Sequence, residues 1–314
     1  MNILIVRNDK LGDFVTTLPS IYALKNFNVQ YKIIVLVSPV NRNLAEALPF
    51  IDKVIVDEGQ PLFSLVQSLK TENIDISITM FSNTRVAIAQ FFANIKKRVA
   101  PATKIAQIFY TIRIRQKRSR VKMSELEYNF ELIKQISNNI SLSYPQPLLT
   151  FKEKEKEYKY KNYIAFHVGS GGSSDANWNL DEYVILIKDI LKRKKENVLL
   201  TFGPDEKDLY NEMKAKMKNI TSVEFYISDN GILPFCNILS SLKLFISTST
   251  GTFHLASLVG TPTLTFFADT LFSSPKRWKG IGDIKLQYNV LIPKNLKERE
   301  ECFTKTREYL QKLL

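Results

Sequence analysis

The sequence alternates short apolar runs with amphipathic stretches, and this alternation constrains the fold more than any other feature. In the first half, apolar runs predict strands at 2–6, 32–37, 53–56 and 74–79, and the stretches between them predict helices at 14–27, 41–47 and 62–70. Near-continuous apolar strands separated by helices are typical of a parallel sheet that is covered on both faces. The ligands of such sheets bind beyond the carboxyl ends of the strands.

The same alternation restarts after Lys152–Lys161, a charge run that reads KEKEKEYKYK and follows two prolines. It predicts strands at 163–167, 197–202, 222–225, 244–247 and 263–267, and helices at 181–194, 206–216, 234–241, 251–259 and 296–314. A chain of 314 residues also exceeds what one hydrophobic core usually supports. We therefore predict an α/β protein with two Rossmann-like, doubly wound domains, 1–155 and 156–314, that face each other across a cleft. The terminal helix could pack back on the first domain.

Composition excludes two broad classes of protein. Hydrophobic residues make up 45% of the chain and charged residues 24%, which fits neither a wholly disordered protein nor a membrane-embedded one. No apolar run approaches the ~18 residues of a transmembrane helix, and the first residues lack the pattern of a signal peptide. Cys236 and Cys302 have no metal-ligand spacing. We expect free thiols in a reducing cytoplasm, with a disulfide as the alternative.

A basic segment, residues 85–122, contains eleven Lys or Arg and no Asp or Glu, in a chain whose formal net charge is +13. Such a field favours an anionic partner, which could be nucleic acid, a phosphorylated sugar or an anionic lipid surface. A solvated face with a flexible loop is the alternative. The cations that we expect to face the acceptor or a membrane are Arg85, Lys96, Lys97, Arg98, Arg113, Arg115, Lys117, Arg118 and Arg120.

The aromatic residues of the basic segment argue against a nucleic-acid partner. Phe91, Phe92, Phe109 and Tyr110 lie in apolar runs, which is typical of core or membrane-facing residues rather than of stacking platforms for bases. No nucleic-acid recognition module is present in the sequence. We expect no specific binding of nucleic acid.

The first segment that could take part in a reaction is Asn8–Asp13, NDKLGD, directly after the first predicted strand. Gly12 permits backbone conformations that are closed to other residues, and it lets a ligand approach the main chain. Asp13 is predicted at the carboxyl end of the strand, where its carboxylate could act on a ligand or merely cap the next helix. Pro19 predicts a kink or an irregular first turn in that helix.

The second half contains two segments that could bind an anion. Phe166–Ser174, FHVGSGGSS, follows a strand and offers successive backbone N–H groups, although many surface loops have this composition. Ser247–His254, STSTGTFH, joins a hydroxyl-rich strand end to a helix start, whose N–H groups and positive dipole end suit a diphosphate. The alternative for this second segment is a plain Ser/Thr helix cap beside a packed histidine.

A turn of sequence GPDE, at 203–206, also follows a predicted strand. Glu206 could accept hydrogen bonds from ribose hydroxyls, as acidic residues do in other nucleotide-binding α/β domains. It could equally be a first-turn helix residue.

Three stretches resemble glycosyltransferase family 9, the ADP-heptose:lipopolysaccharide heptosyltransferases. They are ILIVRNDKLGDFVTTLPSIYALK, FHVGSGG and FISTSTGTFHLASLVGTPTLTFF, and the last is the most specific. The resemblance implies a GT-B fold and an inverting transfer of heptose from an ADP-activated donor to a lipopolysaccharide core hydroxyl. It also implies an acceptor on the first domain, a nucleotide sugar on the second, and neither a metal nor another cofactor.

Carried over residue by residue, the resemblance makes Asp13 the general base and Glu206 the ribose-side acid, and it places Trp278 near the donor. The donor-binding residues that we expect are Lys10, Gly12, His167, Gly169, Ser170, Gly171, Glu206, Ser249, Thr250, Gly251, Thr252 and His254. The implied protein is a monomer in the cytoplasm, peripherally bound to the inner membrane, where a lipopolysaccharide core or lipid A acceptor lies in the inner leaflet.

Two positions depart from the family pattern. Ser249 stands where family members commonly have Asp, and Asn177 stands where many have Lys or Arg. Both members of an acid–base pair have thus been replaced. Two alternatives therefore stay open: a different nucleotide sugar as donor, or a catalytically weak protein that binds a sugar nucleotide or glycolipid.

Overall fold

The computed structural model describes residues 1–103, 105–153, 157–170, 176–193 and 196–314. The chain separates into two compact units, Met1–Pro145 and Gln146–Leu314. The division falls ten residues before the predicted boundary at 155/156, and residues 154–156 of the charge run lie outside the described residues.

The described part of the first unit is a six-stranded parallel sheet with five helices. Its strands β1 to β6 are Asn2–Arg7, Lys32–Val37, Lys53–Val56, Ile76–Thr79, Lys97–Pro101 and Ile112–Ile114. Its helices α1 to α5 are Leu11–Phe27, Arg42–Glu46, Leu62–Lys70, Thr84–Phe92 and Glu125–Ile133. The strand order is β3-β2-β1-β4-β5-β6, and all neighbours are parallel.

The described part of the second unit repeats this architecture with six strands and six helices. Its strands β7 to β12 are Ile164–His167, Val198–Phe202, Val223–Ile227, Leu244–Thr248, Thr263–Ala268 and Gln287–Ile292. Its helices α6 to α11 are Leu180–Leu191, Lys207–Lys216, Ile232–Ser241, Gly251–Leu258, Pro275–Trp278 and Leu296–Leu313. The order is β12-β11-β10-β7-β8-β9, again wholly parallel.

Both sheets have the strand order 3-2-1-4-5-6 when each unit is counted from its own first strand. The predicted pair of doubly wound α/β domains is confirmed, while the predicted cleft between them stays a prediction. The order reverses between β1 and β4 in one sheet and between β7 and β10 in the other. Ligands of open α/β sheets bind at this switch point, outside the carboxyl ends of the strands. The fold therefore directs attention to the residues after β1, β7 and β10.

The central strands form because their side chains are apolar on both faces. Five of the six residues of β1 are buried, and all five of β8 are. Full burial of one Val, Leu, Ile or Phe side chain contributes about 1.5–3 kcal/mol, so these strands anchor the two cores. Helices α5 and α6 begin at capping boxes, which explains their sharp starts.

Helix α1 runs without interruption through Pro19. The hydroxyls of Thr16 and Thr17 both donate to the carbonyl oxygen of Asp13, at 2.8 and 3.0 Å. These two bonds tie the threonine side chains to the first turn of the helix, beside the Asp13 side chain.

The terminal helix α11 packs on the sheet and helices of the second unit. Arg307 Nε donates to Asp189 of α6 at 2.6 Å, and Arg299 donates to Glu182 at 2.9 Å. Leu310 is buried in the same core as β12. The helix therefore covers its own sheet.

The two cysteines are free thiols, as predicted. Burial raises the pKa of Cys236 to about 12, so this thiol stays protonated at neutral pH.

Candidate functional site

Asp13 is the third residue of α1 and does not cap it. The cap position belongs to Lys10, without a side-chain cap bond, and the Asp13 carboxylate instead accepts a hydrogen bond from Arg7. The capping alternative is therefore wrong. Asp13 is 17% exposed, so its carboxylate is partly open to a substrate.

Arg7, the last residue of β1, organises this region. Its side chain is 2% exposed. Its Nε lies 2.9 Å from Asp9, and its Nη1 lies 3.4 Å from Glu125 at the start of α5. Although burial lowers the pKa of Arg7, the carboxylates of Asp9, Asp13 and Glu125 together raise it above the ordinary value. Sequence reasoning missed Arg7 and Glu125, because a sequence separation of 118 positions hides their contact.

Asp9 is the second carboxylate on the same guanidinium. Burial raises its pKa to about 6, Arg7 opposes the rise, and the nearby charge of Asp13 adds to it. Three carboxylates thus share Arg7, and Arg118 pairs with one of them, Glu125. A site with this excess of negative charge can accept a proton.

The predictions for Lys10 and Gly12 differ in what the structure shows of them. Lys10 is exposed beside the carboxylates, and its predicted contact with a phosphate stays a prediction. Gly12 is a buried helical residue of α1 and is absent from the glycines with positive φ. The special backbone conformation expected of it is wrong, because the helix already begins at Leu11.

In the second unit, the two predicted anion-binding segments meet at the switch point. Thr248, at the end of β10, donates from its hydroxyl to the carbonyl oxygen of Gly169 at 3.4 Å. The loop after His167 and the loop before α9 are therefore adjacent. Ser170 is half-buried beside Gly169, and Gly171 lies outside the described residues.

Glu206 lies directly over Gly169. Its carboxylate accepts the backbone N–H of Gly203 at 2.7 Å, and a Cβ on Gly169 would stand 1.8 Å from Glu206 Oε1. A side chain at 169 would therefore displace the Glu206 carboxylate from the end of β7. Since α7 begins only at Lys207, Glu206 is not an outward first-turn residue.

His167 lies beside Glu206. Its Nδ1 is 3.3 Å from the Thr201 hydroxyl, which donates to the Phe166 carbonyl at 3.2 Å. Its Nε2 is 3.6 Å from Glu206 Oε2. Burial lowers the pKa of His167 despite this carboxylate. A carboxylate beside an imidazole suits the paired hydroxyl groups of a sugar diol.

A threonine occupies the cap position of α9, as in the plainer alternative, but it makes no side-chain cap bond in the described structure. Thr250 stands at the cap position without a side-chain cap bond, and its hydroxyl lies 2.9 Å from that of Thr252. The first N–H groups of the helix, from Gly251 onward, thus have no capping side chain among the described residues. They can bind an anion.

His254 lies in the first turn of α9 and is 3% exposed. Its Nδ1 has no hydrogen-bond partner among the described residues. Burial lowers the pKa of His254 to about 4, so the ring is neutral at physiological pH. The Trp278 ring meets it edge-on, with centroids 6.4 Å apart, and the Trp278 indole donates to the Phe272 carbonyl at 3.1 Å. The Trp278 loop therefore packs against this helix start.

Of the two departures from the family pattern, Asn177 has a local structural role through its side chain, and the contact of Ser249 is made by its backbone. The Ser249 backbone N–H donates to Phe266 at 3.0 Å, and the residue is half-buried. The Asn177 amide donates to the Val168 carbonyl at 2.9 Å and accepts from the Tyr183 hydroxyl at 2.6 Å. A Lys or Arg at 177 could donate to a carbonyl but could not accept from tyrosine. Asn177 thus fixes the loop after β7.

The basic segment separates into internal and exposed cations. Arg85 pairs with Asp57 at 2.5 Å, Arg98 donates to the Phe109 carbonyl at 2.6 Å, and Arg118 pairs with Glu125. These three guanidinium groups thus make contacts inside the unit. That Arg85, Arg98 and Arg118 face the acceptor or a membrane stays a prediction. Among the described residues of the segment, the exposed cations are Lys96, Lys97, Arg113, Arg115, Lys117, Arg120 and Lys122.

An apolar patch adjoins these cations. Ile105 is 74% exposed, Ile108 67% and Phe92 58%. The ring of Phe91 joins the patch together, because it lies 5.5 Å from Phe92 and 5.8 Å from Phe109, centroid to centroid. Apolar residues exposed together usually mark an interaction surface.

No group of three or more His, Cys, Asp or Glu in the described ranges is arranged to hold a metal ion. Within the same ranges, no helix has the length and apolarity needed to cross a membrane.

Comparison with known proteins gives consistent matches. The profile of Glycosyltransferase family 9 (heptosyltransferase) matches residues 62–308. A Haemophilus influenzae protein, named provisionally as a glycosyltransferase, is 38% identical over 301 residues, which cover 90% of this chain and 86% of that protein.

Solved structures match over the whole chain. Escherichia coli ADP-heptose lipopolysaccharide heptosyltransferase II superimposes with a TM-score of 0.81 at 18% identity, covering 100% of this chain and 98% of that one. The E. coli heptosyltransferase WaaC with ADP gives a TM-score of 0.78 at 18% identity, with 100% of both chains covered. At these identities the likeness establishes the fold, which is the GT-B fold predicted from the sequence.

Proposed function

Since the chain belongs to glycosyltransferase family 9 and is a glycosyltransferase, we propose that it transfers a heptose, or a related sugar, from an ADP-activated donor to a hydroxyl of a lipopolysaccharide core. The observation that carries the proposal is the switch point of the second sheet. There His167 and the Glu206 carboxylate adjoin the start of α9, which has no side-chain cap bond, so groups suited to a sugar diol and to a diphosphate lie side by side.

The donor is bound in two parts. Glu206 and His167 accept hydrogen bonds from the ribose hydroxyls. The N–H groups at Thr250, Gly251 and Thr252, with His254, hold the diphosphate and stabilise the charge that develops on the leaving ADP. The proposed reaction requires no metal or other cofactor, because these groups supply the stabilisation.

Asp13 acts as the general base. As the acceptor oxygen attacks the anomeric carbon, Asp13 takes the hydroxyl proton, and the bond from that carbon to the ADP oxygen breaks with inversion. Such proton transfer contributes about 10²–10⁴-fold to a rate. The partly exposed carboxylate and its single guanidinium partner support this role.

Asp13→Asn tests the base. We expect the rate of transfer from ADP-heptose to a lipopolysaccharide core acceptor to fall about 10²–10⁴-fold, while ADP affinity, measured by calorimetry, changes little. Wild-type rates in this variant would show that Asp13 is not the base.

The donor sugar is tested separately, because Ser249 and Asn177 leave it open. A screen of nucleotide sugars for binding and transfer, with ADP-heptose first, should give turnover with an ADP-sugar. Turnover with another nucleotide sugar, and not with ADP-heptose, would identify that sugar nucleotide as the donor instead. ADP binding without turnover on any core acceptor would instead favour a sugar-nucleotide binding protein.

We place the acceptor, a lipopolysaccharide core on lipid A, at the inner leaflet of the inner membrane, reached by a monomer that binds peripherally from the cytoplasm. Exposed cations such as Lys96, Lys97 and Arg113, together with the apolar patch of Phe92, Ile105 and Ile108, support docking on an anionic lipid surface.

A further inference from the structure

We propose that Glu125, acting through Arg7, is a positioning residue for Asp13, and that it sets how strongly Arg7 holds the Asp13 carboxylate. The proposal rests on the proposed role of Asp13 as general base. Neither Glu125 nor Arg7 is expected to touch substrate, since their side chains are each 2% exposed.

The first argument is geometric. The three nitrogens of the Arg7 guanidinium face three carboxylates: Nε faces Asp9 at 2.9 Å, Nη2 contacts Asp13, and both Nη1 and Nη2 face Glu125, at 3.4 and 3.5 Å. A planar guanidinium held on several sides has a fixed orientation. The direction in which Asp13 presents its free oxygen therefore depends on Glu125.

The second argument concerns how Glu125 is itself held. Arg118 contacts Glu125 and also donates to Gln116 Oε1, from Nε at 3.1 Å and from Nη2 at 2.8 Å. Gln116 Nε2 donates to the carbonyl oxygen of Tyr128 at 2.7 Å, within α5. Glu125 is thus fixed by its own helix and by the basic segment.

The third argument is that a second residue of α5 forms hydrogen bonds to Arg7 and to α1. Asn129, one turn after Glu125, accepts from Arg7 at 3.4 Å. Its amide nitrogen faces the hydroxyls of Thr16 and Thr17, at 3.4 and 3.3 Å. Those hydroxyls donate to the Asp13 carbonyl, so both the main chain and the side chain of Asp13 are tied to α5.

The fourth argument is electrostatic. The charges that face the cluster are Arg7 and Asp9 from the end of β1, Asp13 from α1, Glu125 from α5 and Arg118 from the basic segment. Glu125 offsets part of the positive charge of Arg7. Without that offset, Arg7 would bind the Asp13 carboxylate more tightly and make it a weaker acceptor of the substrate proton.

Glu125→Gln, which keeps the side-chain shape and removes its charge, is the central test. With the donor that supports turnover, ADP-heptose first, we expect kcat to fall about 10- to 100-fold with the donor KM unchanged, as for a displaced catalytic group. The acid limb of the pH–rate profile should move to lower pH, because the uncompensated Arg7 keeps Asp13 ionised further into acid. A purely structural role for Glu125 would lower activity without moving that limb.

Two further variants complete the design. Arg7→Lys replaces the planar guanidinium group with a single ammonium group, so it should lower kcat similarly. Adding Glu125→Gln to Arg7→Lys should lower kcat much less than Glu125→Gln lowers it in wild type. Glu46→Gln, which removes an exposed charge on α2, is the matched control and should leave kcat and the profile unchanged.

The outcomes separate this inference from the proposed function. If Asp13→Asn is inactive while Glu125→Gln keeps the wild-type kcat and pH profile, the positioning inference is overturned and the base assignment stands. If Asp13→Asn is fully active, the base assignment fails and the inference fails with it.

Discussion

At the scale of single residues, the protein contains two histidines, and burial keeps both neutral. The pKa of His254 falls from the ordinary 6.5 to about 4, and that of His167 falls as well. Since the unfolded chain binds a proton below pH 6.5 and folded His254 does not until about pH 4, this group costs stability as the pH falls through that window.

This linkage gives a testable pH dependence. Between pH 6.5 and 4, His254 alone should reduce the free energy of unfolding by up to about 3 kcal/mol. His254→Gln should have a flatter dependence across this window in phosphate-free buffer, measured by denaturant unfolding. Parallel curves for the variant and wild type would mean that His254 is not held neutral. The pKa of Asp9 is raised to about 6, so Asp9 makes the free energy of unfolding larger as the pH falls. This contribution is the same in wild type and in His254→Gln, and it cancels when the two proteins are compared.

At the scale of elements, the Glu206 carboxylate packs against the glycines that follow β7 and β8. Glu206 reaches across Gly203 to Gly169, and the space over Gly169 is filled by its oxygens. The sequence identified both residues as ligand-binding candidates. It did not show that the glycine makes room for Glu206 rather than for a ligand, because that contact exists only once β7 and β8 are paired.

A double-mutant cycle checks this fit. Gly169→Ala should destabilise the fold by about 1–3 kcal/mol and weaken ADP binding, because the new methyl displaces Glu206 from its hydrogen bond. In a Glu206→Ala background the same substitution should cost far less, with a coupling free energy of about 1 kcal/mol or more. Additive effects in thermal unfolding and calorimetry would contradict the contact.

At the scale of the whole molecule, a net charge of +13 and a localised apolar patch favour one face for a lipid surface. Each basic residue near an anionic membrane contributes about 1 kcal/mol, and buried apolar side chains add a part that salt does not screen. The two contributions can be separated because they respond differently to ionic strength.

Vesicle sedimentation provides the measurement. Wild type should bind vesicles that contain phosphatidylglycerol more tightly than pure phosphatidylcholine, and high salt should weaken the binding only in part. Ile105→Asp/Ile108→Asp should lower binding at every salt concentration. Ile284→Asp, at an equally exposed position in the second unit, is the control and should bind as wild type does. Binding that is unaffected by salt and by the double variant would count against this face.

Nine of the twelve strands in the described part of the chain were predicted from the sequence. The strands Lys32–Val37 and Lys53–Val56 and the helix Leu62–Lys70 have the predicted bounds, because their apolar patterns are local. The strands β5, β6 and β12 were not predicted. β6 and β12 lie at sheet edges, where partial exposure mixes polar residues into the pattern, and the charges of the basic segment mask β5.

By itself, the sequence determined the two α/β units, the loops at the ends of β1, β7 and β10, and Asp13 as the candidate carboxylate, since each of these depends on neighbours within a few residues. Tertiary structure alone decided what Asp13 contacts. Only the folded sheet and the packing of α5 bring Arg7 to Glu125. Burying a guanidinium group without carboxylate partners costs free energy, so its partners are those that the fold places beside it. The sequence thus located the carboxylate, and the packing of α5 on α1 decided how it is held.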